Sequence, residues 1–592
     1  MPATLKPQGS YLAKQCPARA QWDVLQPCEP RPPSPFRLRL FRRGDEFEAG
    51  VFAQLVELHP DAVAVPATDK DSRENREHQT IEAMKAGAQL ILGGRLPADD
   101  AGRRTGEPDI LVPAPDGGYQ AIDVKNHMCL TTPSGAPARC CTLVSLGFEA
   151  SAQDPEFSAR THPEDQCQLA HYQRMLEAMG MAAAGPSLGG IIGTEHIVVW
   201  HKLDAALEDY DNEFGFRLEI IDAAARHRQD PDVPLLTEPF RSSECADCPW
   251  RDWCKPILEE GSGDISLVPR MTRKTLAVHR RHGTADRAAL AALDYRTASL
   301  IALGVDLEPL MDALQFEPLG TPLADIIGKR KWRQLENLNR ADLFTLGDAA
   351  TLDPRTASYS DTSMTSLPSQ IDQCRASLGD EICYRRRGVT TVTVPRGDVE
   401  VDVDVENDEN GVYLWGTTTT GQGYKAFASW ELLDPVAEAE LFGQFWAWFT
   451  TLRDGTHDAG KTFRAYCYNE NHENQQMRRC ANALGIRDEV DEFIASDEWV
   501  DLLKVFRDQL ITGNTVKLKV TAPLCGFGWD VEEPGGDESM VRHDAAIEGS
   551  QEDREWLLTY NRGDVEATAA VREWLDHTAS TYPSVETLPG AS

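Results

Sequence analysis

Two short segments decide the fold of the first part of this chain: Glu107-Pro-Asp-Ile-Leu-Val112 and Tyr119-Gln-Ala-Ile-Asp-Val-Lys-Asn126. Each segment has the length and the apolar content of a short strand. Between them lies Pro113-Ala-Pro-Asp-Gly-Gly118, a cluster of proline, glycine and aspartate that favours a reversal of the chain. The sequence therefore predicts a β-hairpin at this point.

The second strand of this hairpin has one apolar and one charged face. Because side chains alternate along a strand, Ile122 and Val124 point to the predicted core. Asp123 and Lys125 share the opposite face, which Asp109 at the start of the first strand can reach. Paired carboxylates bind hard divalent cations, and an adjacent lysine orients water or stabilises negative charge. This arrangement predicts a metal-dependent hydrolytic centre; the alternative is an exposed hairpin with an incidental ion pair.

Length and composition describe an ordinary soluble protein of several domains. The chain has 592 residues, of which 41% are hydrophobic and 26% are charged, and this length predicts about three or four domains. No stretch reaches the roughly 18 apolar residues of a membrane span, and no secretory signal is evident, so we expect a cytoplasmic protein without a membrane partner. The net charge of −35 argues against a uniformly nucleic-acid-binding surface but not against local basic patches. Four basic clusters stand out, at residues 37–43, 273–281, 329–333 and 385–387.

The chain contains fourteen cysteines, and three of them form a C-x2-C-x5-C motif at Cys245, Cys248 and Cys254. In a cytoplasmic protein this spacing favours a metal site over disulfides and over unligated packing roles. Three thiolates leave a tetrahedral site one ligand short, and the first candidate for the fourth is Cys16, with Cys28 the second. Zinc and iron–sulfur clusters both accept four thiolates, so these residues alone leave the metal open.

Two predicted helices flank the hairpin. A helix over residues 44–58 places Glu48 in its first turn, and a helix that ends near Met179 carries Gln168 and Tyr172. Because these two residues are four apart, their side chains share one face of the helix.

The order of these elements resembles the RecB-like branch of the PD-(D/E)xK nucleases, including members whose nuclease domain carries a [4Fe–4S] cluster. The resemblance implies a restriction-endonuclease-like domain over residues 1–258, with Mg²⁺ or Mn²⁺ bound by Asp109 and Asp123. It also implies that Cys16 and the three later cysteines hold the cluster and thereby join the two ends of the domain. One departure is Phe47, where many relatives have a histidine. The catalytic residues implied by the resemblance are Glu48, Asp109, Asp123, Lys125, Gln168 and Tyr172.

The middle of the chain, residues 259–395, is predicted to be helical. A basic helix over residues 270–281, then Gly283, then a second helix over residues 287–293 resemble a helix-hairpin-helix, a motif that binds the DNA backbone. A plain helical linker is the alternative. Residues 351–366 are rich in Ser and Thr, and we expect them to form an exposed loop.

Carboxylates recur in three segments of the C-terminal part. Residues 399–406 alternate strictly between valine and acidic residues, so Asp404 and Glu406 share one face of a strand, with Asp402 as a rival. A later helix carries Tyr560 and Asp564, which face the same way because they are four residues apart. A clamp of carboxylates on two divalent ions stabilises the attacking and leaving oxygens of a phosphodiester, whereas the alternative is a solvated acidic face. The carboxylates predicted to converge are Asp404, Glu406, Glu473 and Asp564.

These segments resemble the DEDD 3′–5′ exonucleases of the RNase H-like fold, in the variety with Tyr-x3-Asp in the third motif. The resemblance implies an RNase H-like α/β domain over residues 396–580, a tail over residues 581–592, and a water-positioning role for Tyr560. The departure is Glu473, where the family has an aspartate.

One further motif is rejected. Residues 455–462 fit the P-loop expression, but that loop needs a strand before it and a helix after it. Here a predicted helix precedes and a predicted strand follows, so no ATPase is expected.

The whole chain is predicted to be an α/β multidomain protein, and it resembles a bacterial family of RecB-like nucleases. The resemblance implies metal-dependent hydrolysis of DNA in repair or processing, with single-stranded ends as the favoured substrate. Two alternatives stay open: one centre is active while the other domain binds the strand, or the chain is a non-catalytic nucleic-acid-binding scaffold. The sequence does not determine DNA against RNA preference, the direction of cleavage or any helicase partner.

Overall fold

The computed structural model describes Ala13 and residues 16–65, 72–115, 117–362, 364–532 and 535–589. The chain divides into two compact units, Met1–Lys255 and Pro256–Ser592. The predictions also cover residues outside the described ranges: residues 1–12, 14–15 and 66–71 of the first domain, Asp116 in the hairpin turn, residue 363 of the loop expected at 351–366, residues 533–534 of the C-terminal domain, and residues 590–592 of the tail. The predicted domain limits after residues 258, 395 and 580 stay predictions. No described helix is both long enough and apolar enough to cross a membrane.

The first unit contains a nine-stranded mixed sheet and a separate two-stranded ribbon. The strands are β1 (Val63–Ala64), β2 (Ile91–Leu92), β3 (Leu96–Asp99), β4 (Arg104–Gly106), β5 (Ile110–Pro113), β6 (Tyr119–Val124), β7 (Leu130–Thr131), β8 (Pro137–Thr142), β9 (Ala152–Ala159), β10 (Leu188–Ile192) and β11 (Ile197–Lys202). The large sheet has the order β1-β2-β5-β6-β10-β11-β8-β9-β7, and β3 pairs with β4. The predicted hairpin is confirmed, because β5 and β6 are antiparallel with Ile110 opposite Ile122. Since β10 pairs with the other side of β6, every residue of β6 is buried.

The helices of this unit cover both flanks of the hairpin. They are α1 (Pro17–Leu25), α2 (Pro35–Leu58), α3 (Arg73–Lys85), α4 (Pro163–Ala178), α5 (Asp204–Gln229) and α6, which begins at Arg251 and ends at Glu259. The prediction that Glu48 lies in a first turn is wrong, because α2 already begins at Pro35. Ser34 caps that start by accepting a hydrogen bond from the Arg37 amide at 3.1 Å, and proline suits the first helical position. Glu48 therefore lies in the second half of α2.

The second unit contains a five-stranded sheet and a two-stranded one. The strands are β12 (Tyr384–Arg385), β13 (Val399–Asn407), β14 (Val412–Thr419), β15 (Gly423–Ala428), β16 (Phe463–Cys467), β17 (Trp499–Asp501) and β18 (Leu510–Ile511). The larger sheet has the order β15-β14-β13-β16-β17, and β12 pairs with β18. The central strand β13 is antiparallel to β14 and parallel to β16. Its valines 401, 403 and 405 are buried in the core, as the alternating pattern predicts.

Helices form the rest of the second unit. They are α7 (Arg273–Arg281), α8 (Arg287–Ala291), α9 (Tyr295–Ala302), α10 (Glu308–Ala313), α11 (Leu323–Ile327), α12 (Trp332–Arg340), α13 (Leu346–Ala349), α14 (Pro354–Ala357), α15 (Leu367–Leu378), α16 (Pro435–Asp458), α17 (Glu470–Leu484), α18 (Arg487–Ala495), α19 (Leu502–Gln509), α20 (Leu518–Leu524), α21 (Gly536–Ile547) and α22 (Gln551–His577). Gly283 lies between α7 and α8 with φ of +69°, as a tight helix–helix turn requires.

Two predictions about this unit have clear outcomes. The exposed loop expected at residues 351–366 is wrong, because α14 lies within it and Tyr359 is completely buried. Its Ser and Thr residues serve the local structure instead; Thr356, for example, donates a hydrogen bond to the α14 cap residue Asp353. The rejection of the P-loop is confirmed in its geometry, because Gly455 lies inside α16 and the strand β16 follows the turn.

Candidate functional site

The strongest candidate site lies in the second unit, where β13 and α22 meet. Asp404 and Glu406 lie on β13 and Asp564 lies on α22, and each offers an oxygen within 4.8 Å of the other two. Glu473 lies in the first turn of α17, and its side chain is buried. The structure therefore brings three of the four predicted carboxylates into one cluster. Glu473 is not one of these three, and its charge contributes to the raised pKa of Asp404.

Neighbouring polar groups orient two of these carboxylates. The Asn561 side-chain amide donates a hydrogen bond to Asp404 Oδ2 at 2.9 Å, and the Ser539 hydroxyl donates one to Glu406 Oε2 at 2.9 Å. Ser539 comes from α21, and Asn561 from the same helix as Asp564. Each carboxylate consequently keeps oxygen lone pairs free for a cation.

Asp564 has two partners that the sequence reasoning missed. The Trp529 indole donates a hydrogen bond to Asp564 Oδ1 at 2.7 Å, and the Lys519 ammonium contacts the same oxygen. Lys519 also lies 4.3 Å from the ring centroid of Tyr560. A single lysine in α20 belongs to no motif, so nothing in the sequence pointed to it.

Burial raises the pKa of three of these acids, Asp404, Glu406 and Glu473, and the charges of neighbouring carboxylates add to the rise. Burial, followed by the charge of Asp564, raises the pKa of Glu406 to about 8, and burial raises the pKa of Glu473 to about 8. The pKa of Asp404 is raised by burial and by the other three carboxylates, against the opposing charge of Lys519. Burial raises the pKa of Tyr560, and the charges of Glu406, Asp564 and Asp404 and a hydrogen bond with Asp564 raise it further. Such crowding is favourable only when a cation shares the site.

The residues of this cluster fit a divalent metal ion. All its ligand atoms are oxygens, which Mg²⁺ and Mn²⁺ prefer. Glu473 Oε2 is buried and has no hydrogen-bond partner among the described residues, and a buried carboxylate oxygen in that state is costly unless it coordinates something.

Asp402, the rival in this strand, has a structural partner instead. Arg572 on α22 forms a close ion pair with Asp402, and its Nε lies 3.4 Å from Glu400 Oε2. All three side chains are buried. This ion pair explains why a third acidic residue occupies the strand without belonging to the cluster.

The substitution Arg572→Met is expected to lower the free energy of unfolding of the second unit by about 3–5 kcal/mol, because it leaves the buried Asp402 carboxylate without a cation, while Glu400 keeps its ion pair with Arg396. Urea denaturation measures this change. The matched control is Arg562→Met on the same helix, whose exposed side chain should cost less than about 1 kcal/mol. Equal losses for the two variants would show that the buried pair is not what holds α22 against β13.

The first unit also brings its predicted residues together. Lys125 Nζ lies 2.5 Å from Asp123 Oδ2 and donates a hydrogen bond to Gln168 Oε1 at 3.1 Å. The Gln168 side-chain amide donates to the Tyr172 hydroxyl at 2.8 Å. Asp109 accepts a hydrogen bond from the Val124 amide at 2.7 Å, which fixes it across the hairpin from Asp123.

Glu48 lies close enough to this centre for its charge to interact with Asp109 and Asp123. Burial and the charge of Asp123 raise the pKa of Glu48, while Lys125 opposes the rise. Burial, Asp123 and Glu48 together raise the pKa of Asp109. Glu48, Asp109 and Asp123 are not among the groups of three described side chains whose ligand atoms lie within 4.8 Å of one another. Glu48 lines, with Asp109, an open cavity of 640 Å³ beside the centre.

The predicted cysteine cluster lies at the two ends of the first unit. Burial raises the pKa of the Cys254 thiol to about 12, and Cys248, Cys16 and Cys245 add to the rise because thiolates repel. Hydrogen bonds also join these ends: the Cys16 amide donates to Glu244 at 2.8 Å, and the Trp250 indole donates to an α1 carboxylate at 2.7 Å. Cys16, Cys28, Cys248 and Cys254 pack against the cluster of Ala18, Trp22 and Trp250. The four predicted cysteines are not among the groups of described side chains whose ligand atoms lie within 4.8 Å of one another.

One comparison with known families gives a match. Residues 398–576 match the model of the RNase_H superfamily, within the predicted 396–580. The C-terminal domain is therefore RNase H-like, which is consistent with a nuclease-type hydrolase acting on nucleic acid. RNase H-like nucleases usually use Mg²⁺ or Mn²⁺, and the carboxylate cluster lies on this domain. A search of curated proteins and a search of solved structures each found no match.

Proposed function

We propose that this chain is a metal-dependent DNA nuclease with two hydrolytic centres, one of the DEDD exonuclease type and one of the PD-(D/E)xK type, that acts in DNA repair or processing. The observation that carries the proposal is the convergence of Asp404, Glu406 and Asp564 within the RNase H-like domain. Three carboxylate oxygens so close together repel one another strongly, and a pair of divalent ions removes that repulsion.

In the C-terminal centre, Asp404, Glu406, Glu473 and Asp564 would hold Mg²⁺ or Mn²⁺. When bound, two such ions stabilise the attacking and leaving oxygens of a phosphodiester. The Tyr560 hydroxyl, whose raised pKa keeps it protonated, holds the attacking water by a hydrogen bond. Lys519, which contacts Asp564, is the positive group that could interact with a phosphate oxygen of a bound substrate.

A basic cavity of the second unit suits a nucleic-acid strand. It has a volume of 1040 Å³, and its lining includes Asn469, Glu470 and Asn471 at the start of α17 but none of the four proposed carboxylate ligands. Five cations line it, against three acidic residues, so it is basic in a strongly acidic protein. Local basic surface of this kind binds phosphates irrespective of net charge. The lining cations are Arg270, Arg386, Lys504, Arg507 and Lys517.

In the N-terminal centre, Asp109 and Asp123 would hold the metal ion, with Glu48 completing the set. Burial alone would lower the pKa of Lys125, but the charges of Asp123 and Asp109 raise it, so the ammonium stays charged. Gln168 fixes that ammonium by its hydrogen bond. Lys125 then orients the attacking water or stabilises the charge that develops on the phosphate.

The cysteines of the first unit are proposed to hold a [4Fe–4S] cluster, with zinc as the alternative. Four thiolates suit either, and the cluster would hold together ends that already share hydrogen bonds. Cys16 is the proposed fourth ligand because its amide donates a hydrogen bond to Glu244, the residue beside Cys245.

In anaerobically purified protein, Cys254→Ser is expected to remove most of the bound iron, because three thiolates do not hold the cluster firmly. Iron analysis and visible absorption measure the loss. Cys28→Ser is the matched control and should keep wild-type iron. A colourless wild type that contains zinc would show that the cysteines bind zinc rather than a cluster. Loss of iron in Cys28→Ser as well as in Cys254→Ser would identify Cys28 as a ligand.

The proposed metal binding also predicts how stability depends on pH. Glu406 and Glu473 have pKa values of about 8 against an ordinary 4.5, so their contribution to stability is present below about pH 4.5. It is lost as the pH rises through 8, because charged carboxylates are then forced together. In EDTA, the Tm of the wild type should fall from pH 5 to pH 8 more than that of Glu473→Gln. Mn²⁺ should reverse the fall at pH 8 and have little effect at pH 5, since protons compete with the metal.

Calorimetry with and without Mn²⁺ measures these shifts, and the exposed Glu548→Gln is the control that should behave as wild type. A nucleic-acid-binding scaffold predicts a Tm that Mn²⁺ does not change at either pH.

A further inference from the structure

The first unit has a second cluster of ligating side chains that the proposed function does not use. His127 follows β6 two residues after Lys125, His162 directly precedes α4, and Asp165 lies in the first turn of α4. One ligand atom of each lies within 4.8 Å of the other two. Apart from the carboxylates of the RNase H-like domain, no other such group of three occurs among the described residues.

The three side chains lie close enough together to bind one cation. The two imidazole rings lie 4.1 Å apart between centroids, and His127 Nε2 lies 3.0 Å from Asp165 Oδ2. His162 makes no capping hydrogen bond, and its Nε2 is buried without a hydrogen-bond partner among the described residues. Buried polar atoms normally have a hydrogen-bond partner. A bound metal ion would serve as the partner of this nitrogen.

We propose that His127, His162 and Asp165 form a binding site for a divalent transition-metal ion, represented by Zn²⁺. Imidazole nitrogens select such ions, whereas the oxygen-only centres of this protein suit Mg²⁺ and Mn²⁺. Two imidazoles and one carboxylate are a three-ligand set, which leaves one coordination position of a tetrahedral ion open to solvent or substrate. The site is therefore distinct in its metal preference from both proposed hydrolytic centres.

The position of this site links it to the residues around Lys125. The charge of Asp165 interacts with Lys125. The main partner of the Lys125 ammonium is nevertheless Asp123, at 2.5 Å, which balances most of its positive charge. An ion bound between His127 and α4 joins the segment after β6 to the helix that carries Gln168. Both partners of the Lys125–Gln168 hydrogen bond are thereby held in place.

Equilibrium dialysis of the full-length protein against Zn²⁺, with excess Mg²⁺ present, tests the proposal. Loss of a residue that only supports a metal ligand lowers metal affinity about 10- to 100-fold. Loss of a ligand itself should lower the affinity at least as much. His162→Ala is therefore expected to bind one equivalent of Zn²⁺ fewer than the wild type. His78→Ala, which removes an exposed imidazole on α3, is the matched control and should bind as the wild type does. Zinc bound by the cysteines is the same in all three proteins and cancels in the comparison.

Asp165→Asn provides a second variant in case His162→Ala does not fold, since it keeps a hydrogen-bond acceptor for His127. The visible absorption of bound Co²⁺, which replaces Zn²⁺ in such sites, should lose the same one equivalent in this variant. Wild-type stoichiometry and affinity in both variants would overturn the proposal, as would a wild type that binds no Zn²⁺ beyond the cysteines. Neither measurement involves nucleic acid, so the result is independent of whether the proposed nuclease activity exists.

Discussion

Asp564→Asn is expected to lower the rate of nucleotide release from end-labelled single-stranded DNA about a thousandfold in the presence of Mn²⁺. The carboxylate joins the cluster of Asp404 and Glu406, and the neutral amide removes one of the charges that hold the cations. A bound cation contributes several kcal/mol of charge stabilisation, and each 1.4 kcal/mol is about a factor of ten in rate. Single-turnover kinetics on the labelled strand measures the change.

The asparagine keeps the shape of the side chain and can still accept the hydrogen bond from Trp529, so the fold should survive. Glu566→Gln, an exposed carboxylate on the same helix, is the matched control and should retain wild-type rates. If Asp564→Asn were as active as this control, the carboxylate cluster would not be a catalytic centre.

The second large effect is expected from Lys125→Ala, which should lower hydrolysis at the N-terminal centre by about 100- to 1,000-fold, as the loss of a positioned charge does in other enzymes. Lys125 is the cation that the structure places against Asp123 and Gln168. Its loss removes the group that orients water or balances charge on the phosphate. Electrophoresis of the products from labelled single-stranded and double-stranded DNA shows which fragments disappear.

The control for this variant is Lys202→Ala, which removes an exposed lysine from β11 in the same sheet. Bound Mn²⁺ should be unchanged in Lys125→Ala, because lysine is not a ligand of a hard cation. Unchanged products in Lys125→Ala would leave the first unit as a strand-binding module and the C-terminal centre as the sole enzyme.

The parts of both sites that follow local periodicity were predictable from the sequence. Strict alternation over residues 399–406 determines that Asp404 and Glu406 share a face, and the structure places both in one cluster. The four-residue spacing of Gln168 and Tyr172 on a helix similarly places both side chains in one hydrogen-bonded network. Periodicity works here because the side chains repeat with the backbone of their own element.

Other features depend on contacts between distant segments, which periodicity does not encode. Lys519 and Trp529 lie about 40 residues before Asp564 in the sequence and reach it only through the packing of α20 against α22. The predicted position of Glu48 in a first turn was wrong, because the Ser34 cap, rather than the first apolar repeat, determines where α2 begins. The sequence around Asp402 did not indicate its buried partner Arg572, because Arg572 is 170 residues away in the chain.

The measurement that tests the two-centre account most directly is the cleavage of end-labelled single-stranded DNA in Mn²⁺ by four proteins: wild type, Lys125→Ala, Asp564→Asn and the double variant. The account predicts that each single variant loses a different set of products and that the double variant makes none. Loss of all products in one single variant would contradict two independent centres. A wild type that cleaves neither this DNA nor a matching RNA would contradict the nuclease proposal itself.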